Sequence, residues 1–338
     1  MTGPRLSRRQ LFAGSALAAL GVGLGVTGCS APSGAESTDA STSLRLGAMV
    51  GLPIDEADTQ RWRADLDTLA EHGQNLVRTG IYSWLVAPKP DQWHDEQVAF
   101  FRDQLTYARD RGLEVNMVVP GAPDWAQSYG FEQYRQTCAW FWDRMGEGFD
   151  DQVALWQPYN EADHAHYRDF TPASRDEAYL SEFAELLGVA RQTLGRHGTP
   201  VTTNLTGWPM RDEREQEWYL VLDAIGHQLD VISIDLYPAD NKEQIALLPD
   251  RMNRVRERYG KPIYVAEIGL QTTPDSWTEP EQQKYVTAAI DQLRTAELWG
   301  IALYELRDHE SRVGFGIKNA DGSYKLGFHD VMRSLSPR

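Results

Sequence analysis

The stretch VALWQPYNEADHAH, Val153 to His166, opens apolar and closes on an amide and a carboxylate side by side, Asn160 and Glu161. It reads as the end of a buried strand that runs straight into a polar loop. A single carboxylate at such a place is ordinarily a solvated charge or a helix cap. What decides the fold is whether other stretches repeat the pattern.

They do. Short apolar runs occur at LRLGAMV (44–50), NLVRTGI (75–81), EVNMVVP (114–120), VALWQPYN (153–160), VTTNLTG (201–207), VISIDLY (231–237), IYVAEIG (263–269) and IALYEL (301–306). Between them lie longer amphipathic segments such as DEQVAFFRDQLTYARDRG, IALLPDRMNRVRERYG and EPEQQKYVTAAIDQLRTAELWG, several closed by the glycine that favours a helix C-terminus. Alternating strands and helices predict βα units on a parallel sheet. Eight of them predict a closed (β/α)₈ TIM barrel, one domain over residues 44–338, where an open doubly wound sheet would show five or six.

Chemistry in such a barrel sits at the C-terminal ends of the strands. Those ends carry Arg78 on the second strand, Asn160 and Glu161 on the fourth, Asn204 on the fifth, Tyr237 on the sixth, Glu267 on the seventh, and Tyr304 or Glu305 on the eighth. Two carboxylates thus close apolar strands nearly opposite one another across the mouth. An amide precedes one of them, and an arginine and a tyrosine are at hand to hold the other.

QPYNEAD, followed 106 residues later by the glutamate of PIYVAEIG, resembles the clan A glycoside hydrolases, and the likeness runs on through LYELRDHESRVGFGIKNADGSYKLGFHDVM to the end of the chain. The resemblance implies a retaining enzyme on a (β/α)₈ barrel. By it Glu161 is the acid/base, Glu267 the nucleophile, Asn160 the partner of the sugar 2-hydroxyl, Tyr237 the phenol that touches the nucleophile, and Arg78 the second-strand arginine of many members. The chain departs from the family's pattern in having Tyr159 where Trp is frequent, Ala162 where Pro is frequent, and YEL where the eighth strand often offers Trp.

The residue chemistry points the same way. A glycosidic bond breaks through an oxocarbenium-like transition state, which needs one neutral carboxylic acid and one carboxylate. A cation and a phenol beside Glu267 keep it ionised, and the like charge of Glu267 raises the pKa of Glu161. For substrate binding we expect Arg78, Asn160, Tyr237 and Asn204, with Glu305 as the reserve acid. Trp125 and Trp208 are the favoured sugar-stacking rings, ahead of Trp84 and Trp277. His164 and His166 beside Asp163 could hold zinc. A metal site ordinarily draws its ligands from several strand ends, and we expect no catalytic metal and no cofactor. The rival from another class is a non-catalytic carbohydrate-binding lipoprotein, which has no need of two carboxylates facing one bond.

The N-terminus is an address. SRRQLF places Arg8 and Arg9 before an apolar run from Leu11 to Val26, the arrangement of a twin-arginine export signal. VTGCS resembles a lipobox whose lipidated cysteine, Cys29, becomes the first mature residue. Residues 1–29 are therefore expected to be the signal peptide and 30–43, which lack large apolar side chains, a flexible tether. The expected location is the outer face of the cytoplasmic membrane, reached by the twin-arginine route and held by the lipid. Cys138 is left without a disulfide partner, and it reads as a small buried hydrophobe. Removing Arg5, Arg8 and Arg9 leaves 30 basic against 49 acidic side chains, so nucleic acid is a poor partner. We expect a monomer acting on a neutral oligo- or polysaccharide.

Overall fold

The computed structural model describes residues 44–161, 177–205, 212–237, 242–272, 277–309 and 314–337. The strands are β1 (Arg45–Met49), β2 (Leu76–Gly80), β3 (Glu114–Val119), β4 (Leu155–Pro158), β5 (Asn204–Leu205), β6 (Ile232–Leu236), β7 (Ile263–Ile268) and β8 (Gly300–Leu303). They pair in parallel in the order β4-β3-β2-β1-β8-β7-β6-β5. The two ends of that sheet meet at one seam. A parallel bridge joins Trp156 to Val201, with the Trp156 amide donating to Pro200 O at 3.0 Å and the Thr202 amide to Trp156 O at 2.8 Å. The fold is a TIM barrel.

The apolar residues fall into two bodies. A small one fills the floor of the barrel with Leu76, Leu155, Val231, Tyr264, Ala266 and Ala302. A large one lies between the strands and the surrounding helices and includes Trp62, Phe101, Trp142, Val265 and Ile290. Alternation along each strand separates the two, since successive side chains point to opposite faces. β1 lies so close to β2 that a Cβ on Gly47 would sit 1.8 Å from Leu76 O.

The helices start and stop where local chemistry dictates. Asp55 caps Glu56–Glu71 by accepting from the amides of Ala57 and Asp58. Thr278 and Glu281 form a capping box on Glu279–Leu293. Gly260, at φ 63, ends Leu248–Tyr259. The segment expected as one helix through 245–260 is two, Lys242–Ala246 and Leu248–Tyr259, the second restarting with Pro249 in its first turn, where no amide hydrogen is needed. None of the described helices is long and apolar enough to cross a membrane. Cys138 is fully buried in Phe131–Phe149, and burial pushes its thiol up to about 12, as befits an inert side chain.

Each strand, the partly described fifth aside, is shorter than the sequence suggests. β4 covers 155–158 of the expected 153–160, and β8 ends at Leu303 rather than 306. Of the expected fifth strand, 201–207, the described residues 201–205 pair at Asn204–Leu205 and at the Val201 bridge, and the Thr202 hydroxyl meets Val231 O and Ser233. After β8 the chain is fastened by buried charges. Asp65 accepts from Arg307 and from Lys318 Nζ at 2.7 Å, and Lys325 pairs with Asp308 at 2.7 Å. Arg307 and Lys318 are thereby anchored to Glu56–Glu71.

Candidate active site

Every second residue of the strands points into the barrel, and one layer above the apolar floor these residues turn polar. Arg78 on β2, Gln157 on β4, Asn204 beginning β5, and Asp235 on β6 are all at most 1% exposed. Glu267 on β7 joins them at 5%. Its place depends on an irregularity in the sheet. Ile234 pairs with Val265, yet the next residue of β6, Asp235, pairs with Glu267, so β7 carries one extra residue. The same shift appears against β8, between Val265 and Ile268. A bulge of this kind re-aims a side chain. Here Ala266 packs in the floor while Glu267 reaches the arginine of β2.

Arg78 organises the layer. Its Nη1 donates to Glu267 Oε1 at 2.7 Å, Nη2 to Asn160 Oδ1 at 2.7 Å, and Nε to Gln157 Oε1 at 3.1 Å. Although desolvation works against the guanidinium, the charges of Glu267 and Asp235 hold its pKa above the ordinary arginine value. On the other side of Glu267, the Tyr237 hydroxyl donates to Oε2. Burial, then the nearby Glu267 and Asp235 charges, drive that phenol well above its usual range, so it stays a donor. Tyr237 also meets Tyr304 and Phe315 edge to face, with ring centroids 6.2 and 5.6 Å away.

The Asn160–Glu161 pair is held in a tight, costly turn. Tyr159 at φ 65 and Glu161 at φ 50 both adopt the left-handed conformation. Non-glycine residues rarely do so, and strain of this sort, of order 1–3 kcal/mol per residue, collects at functional sites. Asn204 secures the turn, its Oδ1 accepting from the Glu161 amide at 2.9 Å and from Gln157 Nε2 at 2.6 Å. Its Nδ2 donates to Asn160 Oδ1 at 3.0 Å and to Asp235 Oδ2 at 2.5 Å.

The outcome is a cluster of carboxylates. One oxygen from each of Glu161, Asp235 and Glu267 lies within 4.8 Å of the others, and no other acidic, histidine or cysteine group among the described residues comes together this way. A cation could be collected there, but Arg78 already supplies positive charge to one of the three carboxylates, Glu267. Burial first, then the Glu267 and Glu161 charges, push the Asp235 carboxyl well above its ordinary pKa, against the pull of Arg78.

Of the residues singled out in the sequence, Arg78, Asn160, Glu161, Asn204, Tyr237 and Glu267 are thus brought together. Glu305, 6% exposed, lies just past β8 with its Oε2 3.5 Å from His309 Nε2. Trp125 is half-buried, donates its indole hydrogen to Ala87 O at 2.9 Å, and packs against Tyr129 and Trp140. Trp84 is 42% exposed beside Tyr82, and Trp277 is half-buried. Trp208, His164, His166 and Cys29 lie outside the described residues. Gln157 and Asp235 were missed. Their signal was a polar residue inside an apolar run at the inward-facing phase of the strand.

Residues 147–301, which hold Glu161, Asp235 and Glu267, match the family model described as Glycosyl hydrolase catalytic core. No curated protein matches the chain in sequence. Among solved structures, the chain is similar in fold to a beta-glucosidase, 1317, in its apo form, with 16% identity over 82% of this chain and 88% of that one at a TM-score of 0.65. It is similar also to a beta-glycosidase from Pyrococcus horikoshii, with 14% identity over 87% and 95% at a TM-score of 0.65. A GH5_18 protein from Streptomyces cattleya, solved in complex with GlcNAc, gives 16% identity over 88% and 82% at 0.67. At these identities the structures speak for the barrel. The match over 147–301 adds the reaction class, and the chain is a glycosidase.

Proposed function

We propose that the chain is a retaining glycoside hydrolase that cleaves the O-glycosidic bonds of a neutral oligo- or polysaccharide by double displacement. The observation that carries this reading is the approach of Glu161 and Glu267 oxygens to within 4.8 Å. Retaining enzymes hold their two carboxyl groups about 5 to 5.5 Å apart, whereas inverting enzymes separate them by roughly 6.5–9.5 Å to admit a water.

Each group has a task in the double displacement. Glu267 Oε attacks the anomeric carbon while Glu161 gives its proton to the departing oxygen, so that the C–O bond breaks as the glycosyl ester forms. Water then adds at the same carbon, giving its proton to Glu161 and freeing Glu267. Arg78 and Tyr237 hold the nucleophile in place, each donating to one of its carboxylate oxygens. Asn160 has its carbonyl oxygen committed to Arg78 and Asn204, which leaves its amide nitrogen to donate to a sugar hydroxyl. Trp125, Trp208 and Glu305 remain proposed contacts for more distant parts of the substrate. The saccharide-binding alternative is not favoured, since recognition alone has no use for this convergence of carboxylates.

The beta-glycosidase names of the neighbouring folds make β-linked aryl glycosides and oligosaccharides the first to screen. Proton NMR of the first-formed sugar is expected to show the anomeric configuration of the substrate; the inverted anomer would remove the double displacement.

We propose further that the enzyme works as a monomer in the cell envelope, exported by the twin-arginine route and leashed by lipid on Cys29. The support is SRRQLF together with VTGCS. Expressed in a host with both pathways, the protein is expected to sediment with membranes, and Cys29→Ser to release it or stall it as a precursor. Wild-type protein free in the cytoplasm would end the export reading.

A further inference from the structure

We propose that Asp235 is a positioning residue for Glu161, a buried carboxyl that shares one proton with it, so that the pair holds this last proton, and with it the acid form of Glu161, up to a higher pH than Glu161 would reach alone. This rests on Glu161 being the acid/base.

The placement of Asp235 carries the inference. Its side chain is 0% exposed, and its Oδ2 accepts from Asn204 Nδ2 at 2.5 Å. Its Oδ1 is equally buried and receives no fixed N–H donor among the described residues, and the side chain is in hydrogen-bonding contact with Glu161, another carboxyl. A buried carboxylate oxygen without a donor, beside two further carboxylates, is among the costliest arrangements a protein interior can hold. A proton on Oδ1 reverses the sign of the contact, turning an orphaned acceptor among acceptors into a donor facing them.

The charge count agrees. The groups facing Asp235 are Glu161 on the β4 turn, Glu267 and Tyr264 on β7, Arg78 on β2 and Tyr237 on β6 itself. With all three carboxylates ionised, the single guanidinium would leave two negative charges unbalanced in a closed pocket. Arg78 sends its hydrogen bonds to Glu267, Asn160 and Gln157, and Tyr237 sends its own to Glu267. Neither donates to Asp235. Burial and the two glutamates favour the neutral form of this acid, as already noted for its pKa.

Two carboxyl groups this close titrate as a pair. The first proton leaves the pair readily, and the second leaves only against the charge exposed by the first. When Glu161 surrenders the shared proton to the departing oxygen, the pair is left doubly charged beside Arg78 and a Glu267 that the glycosyl ester has neutralised. Water returns a proton to Glu161 in the second step, so Asp235 ends each cycle as it began.

Asp235→Asn keeps the shape of the side chain and an oxygen to accept from Asn204, while abolishing the second ionisation. Carbon-13 titration of protein labelled at the aspartate and glutamate carboxyls, assigned with Glu161→Gln and Glu267→Gln, should show Glu161 losing its proton about one pH unit or more lower in the variant than in the wild type. The basic limb of kcat/KM on an aryl glycoside with a poor leaving group should move down by the same amount. On a dinitrophenyl glycoside, whose first step needs no acid, it should not move. A purely structural Asp235 would leave both limbs and the Glu161 titration in place, and that result overturns the inference. Should Asp235→Asn not fold, the wild type decides alone, since Asp235 and Glu161 signals that each titrate in a single independent step are incompatible with the proposal. Should the wild type hydrolyse no glycoside, the displaced Glu161 titration still upholds the coupling, while the glycosidase assignment falls.

Discussion

Glu267→Gln is expected to lower turnover by about 10⁴-fold or more, on the order of 5 kcal/mol of transition-state stabilisation, with a melting temperature near that of the wild type. The amide has no electron pair nucleophilic enough to form the glycosyl ester, so the covalent route closes. Stability survives because the amide oxygen still accepts from Arg78, which keeps the partner it has at 2.7 Å. Glu267→Ala should lose as much activity and also melt earlier. It strands a guanidinium that is 1% exposed, and breaking a buried pair in this way costs about 3–5 kcal/mol. Kinetics and thermal melts on both variants check the two halves separately. Glu267→Gln retaining a hundredth of wild-type turnover would mean that another group attacks.

Glu161→Ala is expected to behave in a way that no structural defect imitates. Natural glycosides, whose leaving alkoxide needs a proton, should slow by about 10²–10⁴-fold. An activated aryl glycoside should still transfer its sugar to Glu267, because a phenolate of low basicity departs without help. The second step then lacks a base for water, so the glycosyl ester accumulates and appears as added mass on the protein. Azide needs no deprotonation and should restore turnover, yielding a glycosyl azide with the configuration of the substrate. Absence of rescue in a variant of an active wild type would hand the acid's role to another carboxyl, with Asp235 in the cluster and Glu305 beyond β8 as the groups to test.

The barrel was legible because its eight strands are apolar runs and its helices carry their own stop signals, such as Gly260. The ends of the strands were less so. Before β5 Thr202 places its amide on Trp156 O and its hydroxyl on Val231 O and Ser233, and polar threonines give no sign of where a strand begins. Glu161, Glu267, Arg78 and Tyr237 could be found because they end or nearly end apolar runs. Asp235 could not be found by the same rule, since it does not end its apolar run but is followed by Leu236 and Tyr237, which draw the eye to the rim. The extra residue in β7 that brings Asp235 level with Glu267 has no sequence signature, as it is a matter of pairing between strands. Aromatic residues were the least readable. A tryptophan whose indole hydrogen is taken by a backbone carbonyl, as that of Trp125 is by Ala87 O, looks like any other in a sequence.

The polar layer above the barrel floor bears on how this enzyme can change over evolutionary time. Arg78, Gln157, Asn160, Asn204, Asp235 and Glu267 are joined by shared donors and acceptors, so that Asn204 alone touches four of its neighbours. In a network of that kind the effect of one substitution depends on the state of the rest, and energies do not add. Stepwise mutation through the layer therefore meets deep fitness valleys: each single replacement orphans a buried group, and only concerted replacements cross. Adaptation to a new sugar is channelled outward to exposed rim positions such as Trp84, which lie clear of that lattice and can drift one at a time.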